Sequence, residues 1–113
     1  MHLFSMYTRF MNLKGTLPLL ILHVVAEEPN HGYLIAQQIK ARSKGVLDFK
    51  EGTLYPTLHG LEAKGLLTSY EQEEKGRLRR YYKITQNGRK TLAEEREAWR
   101  ELSGAVSIIL KEA

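Results

Sequence analysis

At Gly65 the spacing of apolar residues changes from that of a helix to that of a strand, and this change restricts the architectures open to the chain. Upstream, Leu54, Leu58, Leu61 and Gly65 follow one another at intervals of 4, 3 and 4, which places them on one face at a period of 3.6. The spacing predicts a helix over roughly Gly52 to Lys64, with Gly65 as its left-handed stop. Downstream the period is two. Leu66 to Tyr70 and Arg80 to Ile84, rich in β formers, are predicted strands. The polar stretch Glu71 to Arg79 between them, with Gly76, is predicted to be the long tip of a hairpin.

Three further helices flank this unit. Thr16 suits an N-cap and Pro18 a first helical turn, so the first helix is predicted over Leu17 to Glu27. It is apolar on nearly every side and needs cover all round, in part from another chain. Glu28, Pro29 and Asn30 break it. A second helix reads from His31 to Arg42, with Tyr33, Ile35, Ala36 and Ile39 inward. Thr85 is predicted to cap a last helix from Gln86 to near the C-terminus, about 40 Å long at 1.5 Å per residue. Leu92, Trp99, Leu102, Val106 and Ile109 fall on its a and d heptad positions, with Glu95 the polar exception. A domain this small offers no cover for so long a stripe, which points to the same helix of a second subunit.

With 113 residues the chain makes one domain, divided here into 12–85 and a dimerising helix 86–113. It has no cysteine, which excludes disulfides, iron–sulfur clusters, thiolate zinc sites and cysteine nucleophiles, and fits a cytoplasmic protein. The longest apolar run, Leu17 to Ala26, is about half of a membrane span. The N-terminal residues lack the continuous apolar region and cleavage site of a signal peptide, and Met6 and Met11 are alternative starts.

The net charge of +4 is unevenly placed. Lys75, Arg77, Arg79, Arg80, Lys83, Arg89 and Lys90 form an acid-free run, so the rest of the chain carries a net −3. A weaker cluster comprises Lys40, Arg42, Lys44 and Lys50. A charge run by itself is as well explained by a solvated face. Its context is what separates the two readings. Three helices, a basic hairpin and a long helix make a mainly α chain with a two-stranded β-hairpin, the order of a winged helix-turn-helix. In that fold the third helix enters the major groove of DNA and the hairpin tip reaches the flanking backbone or minor groove. The groove is about 12 Å wide and admits one helix, while the phosphates attract Lys and Arg beside it.

Four segments carry a resemblance to a known family. They are Leu13-Lys14-Gly15-Thr16-Leu17-Pro18-Leu19-Leu20-Ile21-Leu22; His31-Gly32-Tyr33; Gly52-Thr53-Leu54-Tyr55-Pro56-Thr57-Leu58 with Leu61-Glu62; and Gly76-Arg77-Leu78-Arg79-Arg80-Tyr81-Tyr82-Lys83-Ile84-Thr85 with Gly88. In this order and spacing, from about Asn12 to Gly88, the chain resembles the PadR family of transcriptional regulators, and its single tail helix resembles the short subfamily. The resemblance implies a homodimeric repressor that binds an inverted repeat in double-stranded DNA and is released by a small molecule or another signal.

The residues expected to touch DNA are His31, Tyr33, Lys50, Thr53, Tyr55, Pro56, His59, Lys64, Lys75, Arg77, Arg79 and Arg80. Tyr55 can present its ring edge and hydroxyl to a phosphate or a thymine methyl, or pack as a partly buried tyrosine. Thr53 and Pro56 are placed in the first turn of the third helix, and Thr53 serves equally as a cap. His59 reaches a base or faces water. Gly60 departs from the family pattern, where a larger, often basic residue stands. No Arg or Lys precedes Lys64 on this helix, so the usual bidentate reader of guanine is missing and phosphates must supply much of the affinity. Free N–H groups at the start of the second helix, near His31 and Tyr33, add to it.

Trp99, the one tryptophan, is either plain packing or, with its symmetry mate, the lining of an effector pocket for flat aromatic or hydrophobic compounds. His2, His23, His31 and His59 are scattered, without the pairing of a metal site, and no phosphate loop, carboxylate cleft or nucleophile elbow is visible. No cofactor and no enzymatic activity are expected. Two rival readings remain: a winged helix that binds protein, which calls for a neutral or acidic wing, and one that binds RNA through exposed aromatic residues.

Overall fold

The computed structural model describes residues 2–112, with side-chain surroundings from Gly15 to Lys111. The elements are α1 (His2–Glu27), β1 (Asn30–His31), α2 (Gly32–Arg42), α3 (Glu51–Ala63), β2 (Leu67–Glu74), β3 (Arg77–Ile84) and α4 (Gln86–Glu112). Helix α1 is longer than its sequence suggests. It starts at His2, so Thr16 is not its N-cap and Pro18 lies well inside it. The proline ring removes one N–H from the backbone ladder, and the turns on either side keep theirs. Leu17, Ile21, Leu22, Val24 and Val25 are buried, and α2, α3, α4 and β3 all pack on this helix, so the cover of its stretch from Leu17 on comes largely from its own chain.

Helix α2 begins one residue later than predicted because His31 is its cap: the Leu34 N–H donates to His31 Nδ1 at 3.3 Å. Helix α3 starts at Glu51 behind Lys50, whose side chain makes no capping bond. Its apolar face, Leu54, Leu58 and Leu61, is buried as the spacing predicted. Its end also follows prediction. Gly65, at φ +75°, donates to the Glu62 carbonyl at 2.9 Å and Leu66 to the Leu61 carbonyl at 3.0 Å, the paired bonds of a glycine stop.

The sheet has three strands rather than the expected two, in the order β1-β3-β2. Asn30 and His31 pair antiparallel with Tyr82 and Tyr81, and two residues are too few to show an alternating pattern in sequence. The hairpin tip is also different. Instead of a loop over Glu71 to Arg79, the strands run on to a two-residue turn at Lys75 and Gly76, with φ of +52° and +77°. Two positive φ values match the right-handed twist of the strands, which lets poor β formers such as Glu73 and Glu74 stay paired.

Thr85 ties the hairpin exit to the end of α3. Its backbone N–H donates to the Leu66 carbonyl at 3.1 Å and its hydroxyl to the Gly65 carbonyl at 2.7 Å. The same hydroxyl accepts from the Gly88 N–H at 2.9 Å, the expected cap of α4. The core continues past residue 85, since Gly88 and Leu92 are buried. Gly88 is required by space: a Cβ there would lie 2.1 Å from the Leu66 carbonyl oxygen, a backbone atom held by the Thr85 bond. Gly88→Ala is therefore expected to destabilise the fold by about 1–3 kcal/mol, the usual range for overpacking. Gly15→Ala, whose Cβ meets nothing within 4 Å inside α1, is expected instead to raise the melting temperature by a few degrees in the same thermal scan, since Ala is favoured over Gly in a helix interior.

Candidate nucleic-acid interface

Burial of the leucine face of α3 turns its other residues outward. Pro56 and His59 are exposed, Thr53, Tyr55 and Thr57 half-buried, and Lys64 is exposed at the C-terminal end. Thr53 is the third residue of the helix, so it does not cap it, and Pro56 is the sixth, past the first turn where it was expected. The Thr57 hydroxyl donates to the Thr53 carbonyl at 2.8 Å, which holds the backbone of the proline turn. The Tyr55 ring stands 6.5 Å from that of His59 and lies across the start of α2, over Gly32. Tyr55 is thus a partly packed side chain that also borders the outward face.

The two residues flanking Gly32 differ in role. Tyr33 is 58% exposed, and its hydroxyl accepts from Gln37 Nε2 at 2.9 Å. The His31 ring is stacked with Tyr33 at 6.4 Å and meets the edge of Tyr81 at 5.4 Å. Tyr81 in turn stacks on Tyr70 at 5.7 Å. This column on the outer face of the sheet joins the start of α2 to the wing, and its residues lie too far apart in the chain to be grouped by sequence spacing. Tyr82, the next residue on β3, is buried on the opposite face.

The wing is less electropositive than its acid-free run implies. Register places Glu71 opposite Arg80 and Glu74 opposite Arg77, with Glu73 opposite Leu78. Five cations from Lys75 to Lys83 therefore share the hairpin with three carboxylates. Arg79 pairs with Glu74 at 3.3 Å, and the Tyr81 hydroxyl donates to the same carboxylate at 3.0 Å. Lys50 contacts Asp48 at 3.3 Å. Surface pairs of this kind are worth about 1 kcal/mol or less, so a phosphate can displace them. Lys75, Arg77 and Arg80 are exposed.

Leu92, expected at a dimer interface, is instead 5% exposed and belongs to the chain's own core, because α4 has not yet left the body at that point. The later stripe does emerge: Trp99, Leu102, Val106 and Ile109 are open to solvent, as are Ile108 and Leu110, which the heptad reading left out. Trp99, Leu102 and Glu95 line a cleft against Gly15 and Leu19 of α1, so a Trp99 pocket has one wall within the same chain. Two arginines brace α4 and α2: Arg96, which sequence reasoning missed, and Arg42, read there only as part of a basic cluster. Arg96 donates to His23 Nδ1 on α1, and Arg42 donates to both Glu27 oxygens, at 2.7 and 3.1 Å. The Arg42 guanidinium holds the Glu27 carboxyl below its ordinary range. Among the described residues no helix is long and apolar enough to cross a membrane, and no group of three or more His, Asp and Glu could hold a metal ion.

The profile of the Transcriptional regulator PadR-like family matches residues 21–94. A relative from Mycobacterium tuberculosis, Transcriptional regulator Rv3488, is 44% identical over 76% of this chain and 78% of its own. Among solved structures, a PadR family transcriptional regulator from Eggerthella lenta superposes with a TM-score of 0.79 at 30% identity, over 96% of this chain and 91% of that one. A PadR family transcription regulator from Clostridium difficile gives 0.75 at 31% identity, over 84% and 98%.

Burial of His31, aided by Arg79 and opposed by Glu74, lowers its pKa from 6.5. The fold favours the neutral ring, which its cap requires, since a protonated Nδ1 cannot accept from Leu34. Above the unfolded pKa both states are neutral and nothing is gained or lost. As pH falls below about 6.5, the unfolded chain takes up a proton that the folded one resists, and stability declines. His31→Asn keeps a cap without a titrating ring. Urea unfolding at pH 7.5 and 5.5 is expected to show a smaller loss in the variant than in the wild type.

Proposed function

Because the chain belongs to the PadR-like family of transcriptional regulators and is therefore a DNA-binding regulator, we propose that it acts as a homodimeric repressor of an inverted-repeat operator. Two copies join through the exposed stripe of α4, and each inserts α3 into a major groove, with half-sites about 34 Å apart. The observation that carries this reading is the run of large apolar side chains on α4 beyond the body, with Leu102 53% and Ile109 68% exposed. A helix with such a stripe is stabilised by burying it, at about 25 cal/mol per Å² of apolar surface. The braces at His23 and Arg42 support the rest, since the first gives α4 a set direction from α1 and the second ties α2 to the same helix.

In this reading Thr53, Tyr55, Pro56 and His59 meet base edges or the adjoining backbone. Lys75, Arg77, Arg79 and Arg80 on the wing, with Lys50, Lys64, His31 and Tyr33, hold phosphates. A planar aromatic or hydrophobic effector occupies the cleft beside Trp99 and favours a dimer whose α3 helices are wrongly spaced for the operator. Quenching of Trp99 fluorescence by such compounds tests this part.

Replacing Leu102 and Ile109 together by Glu is expected to give a folded monomer in sedimentation that no longer shifts an inverted-repeat duplex. A variant that remains a dimer rejects the assignment of the interface. With four to six phosphates neutralised per dimer, log K should fall with log salt at a slope of about −4 to −5, from roughly 0.9 per phosphate. Ala at Arg77 and Arg79 is expected to weaken all duplexes alike, whereas Thr53→Ala changes which duplex is preferred. Equal behaviour of the two sets in band-shift titrations would overturn the division between holding and reading.

A further inference from the structure

The role of Gly32 follows from neither backbone geometry nor helix propensity. The glycines at positive φ among the described residues are Gly45, Gly65 and Gly76, so Gly32 adopts a conformation that any residue tolerates. As the first residue of α2 it would gain from replacement on propensity alone, since Ala is favoured over Gly in a helix. Space is the constraint. A Cβ on Gly32 would lie 2.8 Å from Tyr55 Cε1 and 3.0 Å from both Cζ and the hydroxyl oxygen. The far end of a tyrosine side chain is what stands in the way, and that end can move when the backbone cannot.

We propose that Gly32 is a positioning residue for DNA reading: it leaves a seat at the start of α2 that holds the Tyr55 ring of α3 in one orientation. The inference rests on the reading above, in which α3 faces the operator. The His59 ring is its other aromatic neighbour, 6.5 Å away and tilted 44° to it. A methyl at position 32 closes the seat and drives the ring outward, toward the surface that meets base edges. The displacement leaves the leucine face of α3 and the wing untouched, so it changes selectivity without changing the electrostatic grip.

The experiment is a double-mutant cycle with Gly32→Ala and Tyr55→Ala. It is read by fluorescence anisotropy on a duplex that the wild type selects from random sequence and on a scrambled duplex of equal length. Gly32→Ala is expected to keep its thermal midpoint and to bind the selected duplex about tenfold more weakly, within the range for one lost base contact, with no change on the scrambled one. In the Tyr55→Ala background the same change is expected to alter affinity less than about twofold, because the ring it displaces is gone. A tenfold loss that persists in that background overturns the proposal, as does an equal loss on both duplexes. The Tyr55 ring resonances of DNA-free protein give an independent reading, and shifts unchanged by Gly32→Ala also overturn it. A wild type that selects no duplex at all instead rejects the operator reading itself, before the cycle is run.

Discussion

The apolar side chains of α1 from Leu17 to Val25 are withdrawn from water by α2, α3, α4 and β3, and every outward-facing element takes its direction from that contact. Each fully buried Leu, Ile or Val contributes about 1.5–3 kcal/mol relative to exposure, more than any surface ion pair in the chain. Helix α3 is pressed on this core by its leucines, and its polar face is left outside as a consequence. The wing is carried by the same core through Tyr82 and Ile84, while Leu92 fixes the first turns of α4. Polar links then set angles that apolar packing leaves loose. Thr85 joins the end of α3 to the start of α4, and Arg42 and Arg96 join α2 and α4 to α1.

The electrostatics of the wing show how pairing alters a charge count. Seven cations without an acid look like a strongly positive finger, yet the antiparallel partner strand brings Glu71, Glu73 and Glu74 into the same hairpin. These carboxylates reduce the field felt at a distance, and Glu74 also holds Arg79 in place against the neighbouring strand. Weak pairs in high dielectric exchange readily, so the wing holds its shape in free protein and still offers its cations to a polyanion. Lys50 beside Asp48 is the same device on the connector before α3.

Much of the interface was legible because it depends on local rules. The buried face of α3, its glycine stop, the Thr85 cap and the exposure of His59 and Lys64 all follow from period and turn chemistry. Other features escaped for a common reason: their partners are distant in the chain. The third strand consists of two residues that become a strand only through Tyr81 and Tyr82. The column of Tyr33, His31, Tyr81 and Tyr70 joins four elements. Leu92 satisfies a heptad pattern as well as Leu102 does, and only the position at which α4 leaves the body separates core from surface. Pro18 matches a helix start, but a proline inside a helix removes one rung, and the surrounding turns outweigh it.

Sequence alone determined the kind and order of every element but β1, and the chemistry each carries, because periodicity, capping and charge act between residues within a few positions of one another. Tertiary structure decided which of those residues are free to act. It put Glu74 beside Arg79, buried Leu92, and laid Tyr55 across Gly32, since burial and pairing are properties of surfaces that exist only once the elements are packed together.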